Sequence, residues 1–187
     1  MEMSSSRSVP ADVETTWRAL NDPETLKACI AGCETVERVS DSEYRVVMTA
    51  RVGPVSAKFN GRILLSDVVP PTSYAMKFEG QGGAAGFANG EVYVSLKPDG
   101  SGTLIEYQAK AQVGGKLAQV GSRLVDGAAA KVADDFFARL VERLGGASVA
   151  PALPPVAAKA TRRMWLRLAL AVAILIALAI YWLTRPA

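Results

Sequence analysis

Apolar and polar residues alternate in a series of runs between Tyr44 and Gln112. Tyr44, Val46, Met48, Ala50 and Val52 alternate with Arg45, Thr49 and Arg51; Ala57, Phe59, Gly61, Ile63 and Leu65 alternate with Lys58, Asn60 and Arg62. Tyr74, Met76 and Phe78 are interleaved with Lys77 and Glu79. A further run crosses Glu91–Leu96, and Ile105, Tyr107, Ala109 and Ala111 then alternate with Glu106, Gln108, Lys110 and Gln112. A period of two gives each strand one buried and one wet face, which predicts an antiparallel sheet. Pro98-Asp99-Gly100-Ser101-Gly102 predicts a hairpin turn, and Pro70-Pro71 marks another connection. Ahead of these runs lie a polar strand candidate, Met3–Val9, and a helix from about Ala11 to Leu20. Asn21-Asp22-Pro23 breaks that helix, and a second short one runs to about Ile30, ended by Gly32. After them Leu117, Val120, Leu124, Ala128, Val132, Phe136 and Leu140 recur at helical spacing, predicting one helix from Leu117 to Leu144. Its apolar face must pack on the concave side of the sheet. The expectation is an α+β domain over residues 1–144, a curved antiparallel sheet gripping its last helix.

The pattern then changes twice. Residues 145–163 lack periodicity and large apolar groups, and their prolines and alanines predict a semi-extended linker. From Met164 to Leu183 the chain is apolar on every face apart from Arg167. At ~1.5 Å per residue this run covers roughly 30 Å, the thickness of a bilayer's hydrocarbon core. Trp165 at one end and Tyr181 and Trp182 at the other suit the two interfaces. Residues 164–184 are therefore expected to form a single transmembrane anchor. Lys159, Arg162, Arg163 and Arg167 precede or open the span and Arg185 alone follows it, so the positive-inside rule places the N-terminal domain in the cytoplasm, at the cytoplasmic membrane. The opening MEMSSSRSVP has no apolar stretch and predicts no secretory signal. Cys29 and Cys33 then read as reduced thiols.

Composition narrows the chemistry. The chain contains no histidine, which removes the commonest general base, the Ser-His-Asp and Cys-His arrangements and most zinc sites. Asp134 and Asp135, adjacent on a helix, point in different directions and form no dyad. The glycine-rich segment Gly80–Gly90 is neither a dinucleotide fingerprint nor a P-loop. A net charge of +3, with no basic stripe interleaved with aromatics, predicts no nucleic-acid partner. Small residues on facing elements, Ala57, Gly61, Ala88 and Gly90 against Gly121, Gly127 and several alanines, suit either an apolar cavity or a tightly packed core. If a cavity forms, its expected ligand-binding wall comprises Tyr44, Met48, Phe59, Ile63, Met76 and Phe78 from the earlier strands. Phe87, Val92 and Tyr107 add to it from the later ones, and Leu117, Gly121 and Leu124 from the helix.

Three stretches carry a family resemblance: VPADVETTWRALNDPETLKACIAGCETVE (9–37), GAAGFANGEVYVSL (83–96) and TLIEYQAKAQVGGKLAQVGSRLVDGAAAKVADDFFARL (103–140), with Val113–Ala118 and Phe136-Phe137 the more specific parts. The sequence resembles the carbon monoxide dehydrogenase G-subunit (CoxG) family, within the START-like (SRPBCC) helix-grip superfamily. Ala31 stands where that family usually reads Pro before Gly-Cys. The resemblance implies a helix-grip fold with a lipophilic cavity between sheet and long helix. It also implies a non-catalytic accessory that recruits a molybdenum-containing dehydrogenase to the membrane. The cavity could hold an isoprenoid quinone, menaquinone or ubiquinone, with its tail shielded and its head at the mouth, coupling the enzyme to electron transport. Two alternatives stay open: a START-like cyclase or hydrolase, and a passive anchor with a filled core.

Overall fold

The computed structural model describes residues 1–145. Its elements run β1 (Glu2–Val9), α1 (Val13–Asn21), α2 (Pro23–Cys29), β2 (Cys33–Ser40), β3 (Glu43–Val52), β4 (Val55–Val69), β5 (Ser73–Gln81), β6 (Phe87–Asp99), β7 (Gly102–Gly114), α3 (Lys116–Gln119) and α4 (Ser122–Arg143). The linker from residue 146 onward and the apolar span at 164–184 lie outside the described residues. Among the described residues no helix is long and apolar enough to cross a membrane.

The strands form one curved antiparallel sheet in the order β1-β7-β6-β5-β4-β3-β2. Consecutive strands from β2 to β7 are hairpin neighbours, and β1 closes the far edge against β7. Register aligns the inward positions in rows across the sheet. Tyr44 pairs with Ile63, Ile63 with Phe78 and Phe78 with Gly90. The next row runs Leu65, Met76, Val92, Ala109 and Met3, and a third runs Tyr74, Val94 and Tyr107.

α1 and α2 each start on an aspartate. The Asp12 carboxylate accepts from the Thr15 amide at 2.8 Å, and Asp22 from the Thr25 amide at 2.9 Å, with Pro23 in the first turn where its missing N–H costs nothing. Leu20 and Cys29 bury against the sheet beside Ile105 and Leu140, the last two at 1% and 0% exposure. Thr103 donates from its hydroxyl to the Ala11 carbonyl at 2.7 Å, tying the entry to α1 onto β7. Trp17 meets Tyr74 edge-on at 5.6 Å, an arrangement favoured by the ring quadrupoles.

Two features depart from the pattern-based reading. β2 is an additional edge strand; only its Val36 is buried, so it shows no alternation to read. The last helix is not continuous from Leu117. Gly121, at φ +93°, breaks it into the single turn α3 and the long α4.

Candidate functional site

Between the concave face of the sheet and α4 lies a cavity of about 330 Å³. The sheet supplies its floor: Tyr44 and Val46 from β3, Ile63 and Leu65 from β4, Tyr74, Met76 and Phe78 from β5, with Val92, Val94 and Ile105 beyond. Asn21, Leu26 and Ile30, around the α1–α2 junction, close one end. Ala129, Val132, Ala133, Phe136 and Phe137 form the roof on α4. These roof residues recur at three- and four-residue spacing, so one helical face meets the cavity. The cavity is not sealed, since Val132 in its roof remains 41% exposed.

The wall is almost entirely hydrocarbon, and its polar side chains are Asn21, Tyr44, Tyr74 and Tyr107. The Tyr44 hydroxyl donates to the Asn21 backbone carbonyl at 3.1 Å. Asn21 donates its side-chain N–H to the Trp17 carbonyl at 2.9 Å. Burial pushes the Tyr44 phenol upward, with Arg38 opposing the shift. Burial pushes Tyr74 far above the ordinary phenol range, and the neighbouring Tyr44 adds to it. Tyr107 stacks on Phe137 with ring centroids 5.4 Å apart. Arg7 on β1 pairs with Asp134 on α4 at 2.6 Å, linking the helix to the sheet's edge.

Tyr44, Ile63, Met76, Phe78, Val92 and Tyr107 from the sequence-predicted wall come together on this cavity. Six other residues of that wall lie elsewhere. Met48, Phe59 and Leu117 belong to a separate apolar cluster with Ala85, further along the sheet, where α3 packs down ahead of the break at Gly121. Phe87 is 39% exposed and its ring covers Gly114. Leu124 is 49% exposed and lies against Gly53 in the β3–β4 turn. Gly121 has open space where a side chain would stand, and its role is the backbone break. Leu20, Leu26 and Ile30 of the two short helices, and the α4 roof, were not in the predicted wall. The spacing of Ala128, Val132 and Phe136 was the available signal for the roof. Nor does Gly90 leave volume: a Cβ there would meet the Phe78 ring at 2.8 Å, so the glycine seats that ring against the sheet.

Among the described residues no group of three or more His, Cys, Asp or Glu side chains converges on a point. Cys29 is buried, Cys33 half-buried, and both are free. Burial raises both thiols, so they stay protonated and are poor nucleophiles or ligands.

The family model for the carbon monoxide dehydrogenase G-subunit (CoxG) matches residues 6–145, most of the 187-residue chain. The chain belongs to that family. A crystal structure of a conserved protein from Geobacillus kaustophilus is 31% identical to this CoxG family member, with a TM-score of 0.73 over 77% of this chain and 95% of that one. A START superfamily protein from Mycobacterium smegmatis shares the fold at 17% identity and a TM-score of 0.59, over 76% and 96% of the two chains. A protein of Thermus thermophilus does so at 19% identity and 0.58, over 77% and 97%. The fold of this family member's domain is thus the one seen in a START superfamily protein. No curated protein matches the sequence.

Proposed function

We propose that this chain is a non-catalytic accessory which binds a lipophilic ligand in the cavity under α4, recruits a molybdenum-containing dehydrogenase to the cytoplasmic membrane, and couples it to electron transport through an isoprenoid quinone, a menaquinone or ubiquinone. The observation that carries the reading is the cavity: about 330 Å³ of space whose wall is hydrocarbon except for Asn21 and three tyrosines. Such a wall offers burial and dispersion to a ligand and little chemistry, so binding and release are what it can do. Family membership supports the dehydrogenase as partner. The Met164–Leu183 run and its basic flank support the membrane as the place.

The volume sets how much of the ligand enters. An apolar cavity of roughly 150 Å³ holds benzene. About twice that space takes one or two rings and a short length of chain. A quinone's ring and first isoprene units fit, while the rest of a long tail extends through the open side towards lipid. Tail carbons left in water cost ~0.8 kcal/mol per CH₂, which keeps such an arrangement at the bilayer surface.

The test is reconstituted electron transfer from the partner dehydrogenase to a long-tailed quinone in vesicles. Adding the full chain is expected to speed the reaction. The Ala129→Trp variant, which fills the roof, is expected to dock the enzyme and to lose most of that acceleration. Equal acceleration by both proteins would reduce the domain to a tether.

A further inference from the structure

The cavity's polar side chains differ in what their protons do. The Tyr44 proton is committed to the Asn21 carbonyl, and an Asn21 amide proton to the Trp17 carbonyl. Neither the Tyr74 nor the Tyr107 hydroxyl has a hydrogen-bond partner among the described residues, but Tyr107 is stacked on Phe137 under α4, whereas Tyr74 neighbours Tyr44 and so stands with the cavity's other polar groups. Tyr74 is only 6% exposed. No fully enclosed side-chain oxygen among the described residues lacks a partner. The Tyr74 oxygen is therefore not fully enclosed, and Tyr74 is part of the cavity wall. Its ring is held edge-on by Trp17, beside the α1–α2 junction that closes this end. A donor facing an apolar wall has few acceptors within reach, and a ligand that supplies one pairs it.

We propose that Tyr74 is the head-group recognition residue of this cavity, donating its hydroxyl hydrogen bond to a carbonyl oxygen of a cyclic ketone or quinone that enters polar end first. The proposal rests on the ligand-binding reading above and deepens it. It reverses the head-at-the-mouth orientation, because the uncommitted donor stands on the buried floor. Burial keeps the phenol protonated well past neutrality, so the donor persists at every physiological pH. Tyr44 and Asn21 complete the recognition. Each offers an acceptor, the Tyr44 phenol oxygen and the Asn21 amide oxygen, and Asn21 keeps its second N–H as well. A reduced, hydroxyl-bearing head can accept from Tyr74 and donate to one of these two. The same pocket therefore takes both redox states of a quinone, while a plain hydrocarbon of equal shape leaves Tyr74 unpaired.

The experiment compares menadione with 2-methylnaphthalene, the same bicycle without carbonyls, on the full chain in phosphatidylcholine nanodiscs. Partitioning of each probe into lipid is common to all variants and cancels in the affinity ratios. Tyr74→Phe removes one oxygen and retains the ring, and is expected to weaken menadione roughly 3- to 10-fold while leaving 2-methylnaphthalene unchanged or tighter. In the infrared, the menadione carbonyl band should be lowered on wild-type protein and return towards its free position on Tyr74→Phe. Tyr107→Phe removes the cavity's other unpartnered hydroxyl and tests the rival assignment, while Tyr93→Phe, at an exposed tyrosine outside the cavity wall, should change neither. Equal affinities for menadione in wild type and Tyr74→Phe, a loss shared by both probes, or a loss confined to Tyr107→Phe would each overturn the assignment. If neither probe binds wild-type protein, the ligand-binding reading itself fails.

Discussion

Asp22 shows how a single carboxylate ties the end of the cavity together. It caps α2, accepts from both the amide and the hydroxyl of Thr25, and lies in the field of Arg143 on α4. The Thr25 hydroxyl hydrogen bond is the largest cause holding its pKa below the usual 3.8, with burial opposing. A depressed carboxylate contributes stability above its unfolded pKa and loses it as pH falls through the folded one. Asp22→Ala is expected to cost ~1 kcal/mol near neutrality, the usual worth of a helix cap. Urea melts should show that gap narrowing below about pH 4; a gap as large at pH 3 as at pH 7 would show the charge to be irrelevant. The tyrosines and apolar groups of the cavity floor were partly legible from sequence for a simple reason. Period-two alternation fixes which face a side chain takes, and Tyr44, Ile63, Met76, Phe78, Val92 and Tyr107 do face inward. Alternation does not fix position along the strand. Met48 and Phe59 share that face, but register places them opposite one another in a different row, with Leu117. Rows depend on turn lengths and on the bulge near Asp67, which period alone does not encode.

The last helix behaves as two halves. Leu140 and Val141 near its end are buried in the main core at 0% and 6% exposure. Leu124 and Val132 nearer its start are largely exposed although both belong to its apolar face. The helical spacing in the sequence runs through both halves and predicts equal burial. The break at Gly121 and the open side of the cavity explain the difference. Space that packing would have filled remains under the middle of the helix, at Ala129–Phe137. Leu140→Ala should therefore destabilise by about 2–5 kcal/mol through the hole it leaves, and Leu124→Ala by well under that. Amide hydrogen exchange should be faster over Ser122–Val132 than over Leu140–Arg143, and a bound quinone should slow the roof segment Ala129–Phe137 selectively. Uniform protection along α4 would mean that the cavity roof is not the mobile wall of the site. β2 was illegible for a related reason. As the edge strand beside β3 it buries Val36 alone, and one buried position makes no pattern.

In the proposed arrangement the domain and the apolar run divide the work between them. Residues 6–145 match the family, and the Geobacillus relative is matched over 95% of its length. The cavity is lined wholly by residues of the stretch 1–145, none of them from the segment Met164 to Leu183. The expectation that this segment is an anchor rests on hydropathy and flanking charge alone, because a bilayer demands a length and an apolar surface that no soluble element needs. In the proposed arrangement its contribution is concentration. A tether holds the cavity within reach of the lipid surface at an effective concentration set by linker length, on the order of millimolar for a short flexible linker. The full chain should then pellet with membranes and resist carbonate extraction, while a chain stopped after Ala150 should stay in the supernatant. The truncated chain should also retain menadione affinity, since Tyr74 and the cavity lie wholly within residues 1–145. In the vesicle assay at micromolar protein it should accelerate electron transfer far less than the full chain. Raising it roughly 100- to 1,000-fold should recover most of the rate, because mass action replaces the tether. Failure to recover at any concentration, with ligand affinity intact, would show that the apolar run acts by more than proximity. It would then have to orient the open side of the cavity towards the bilayer.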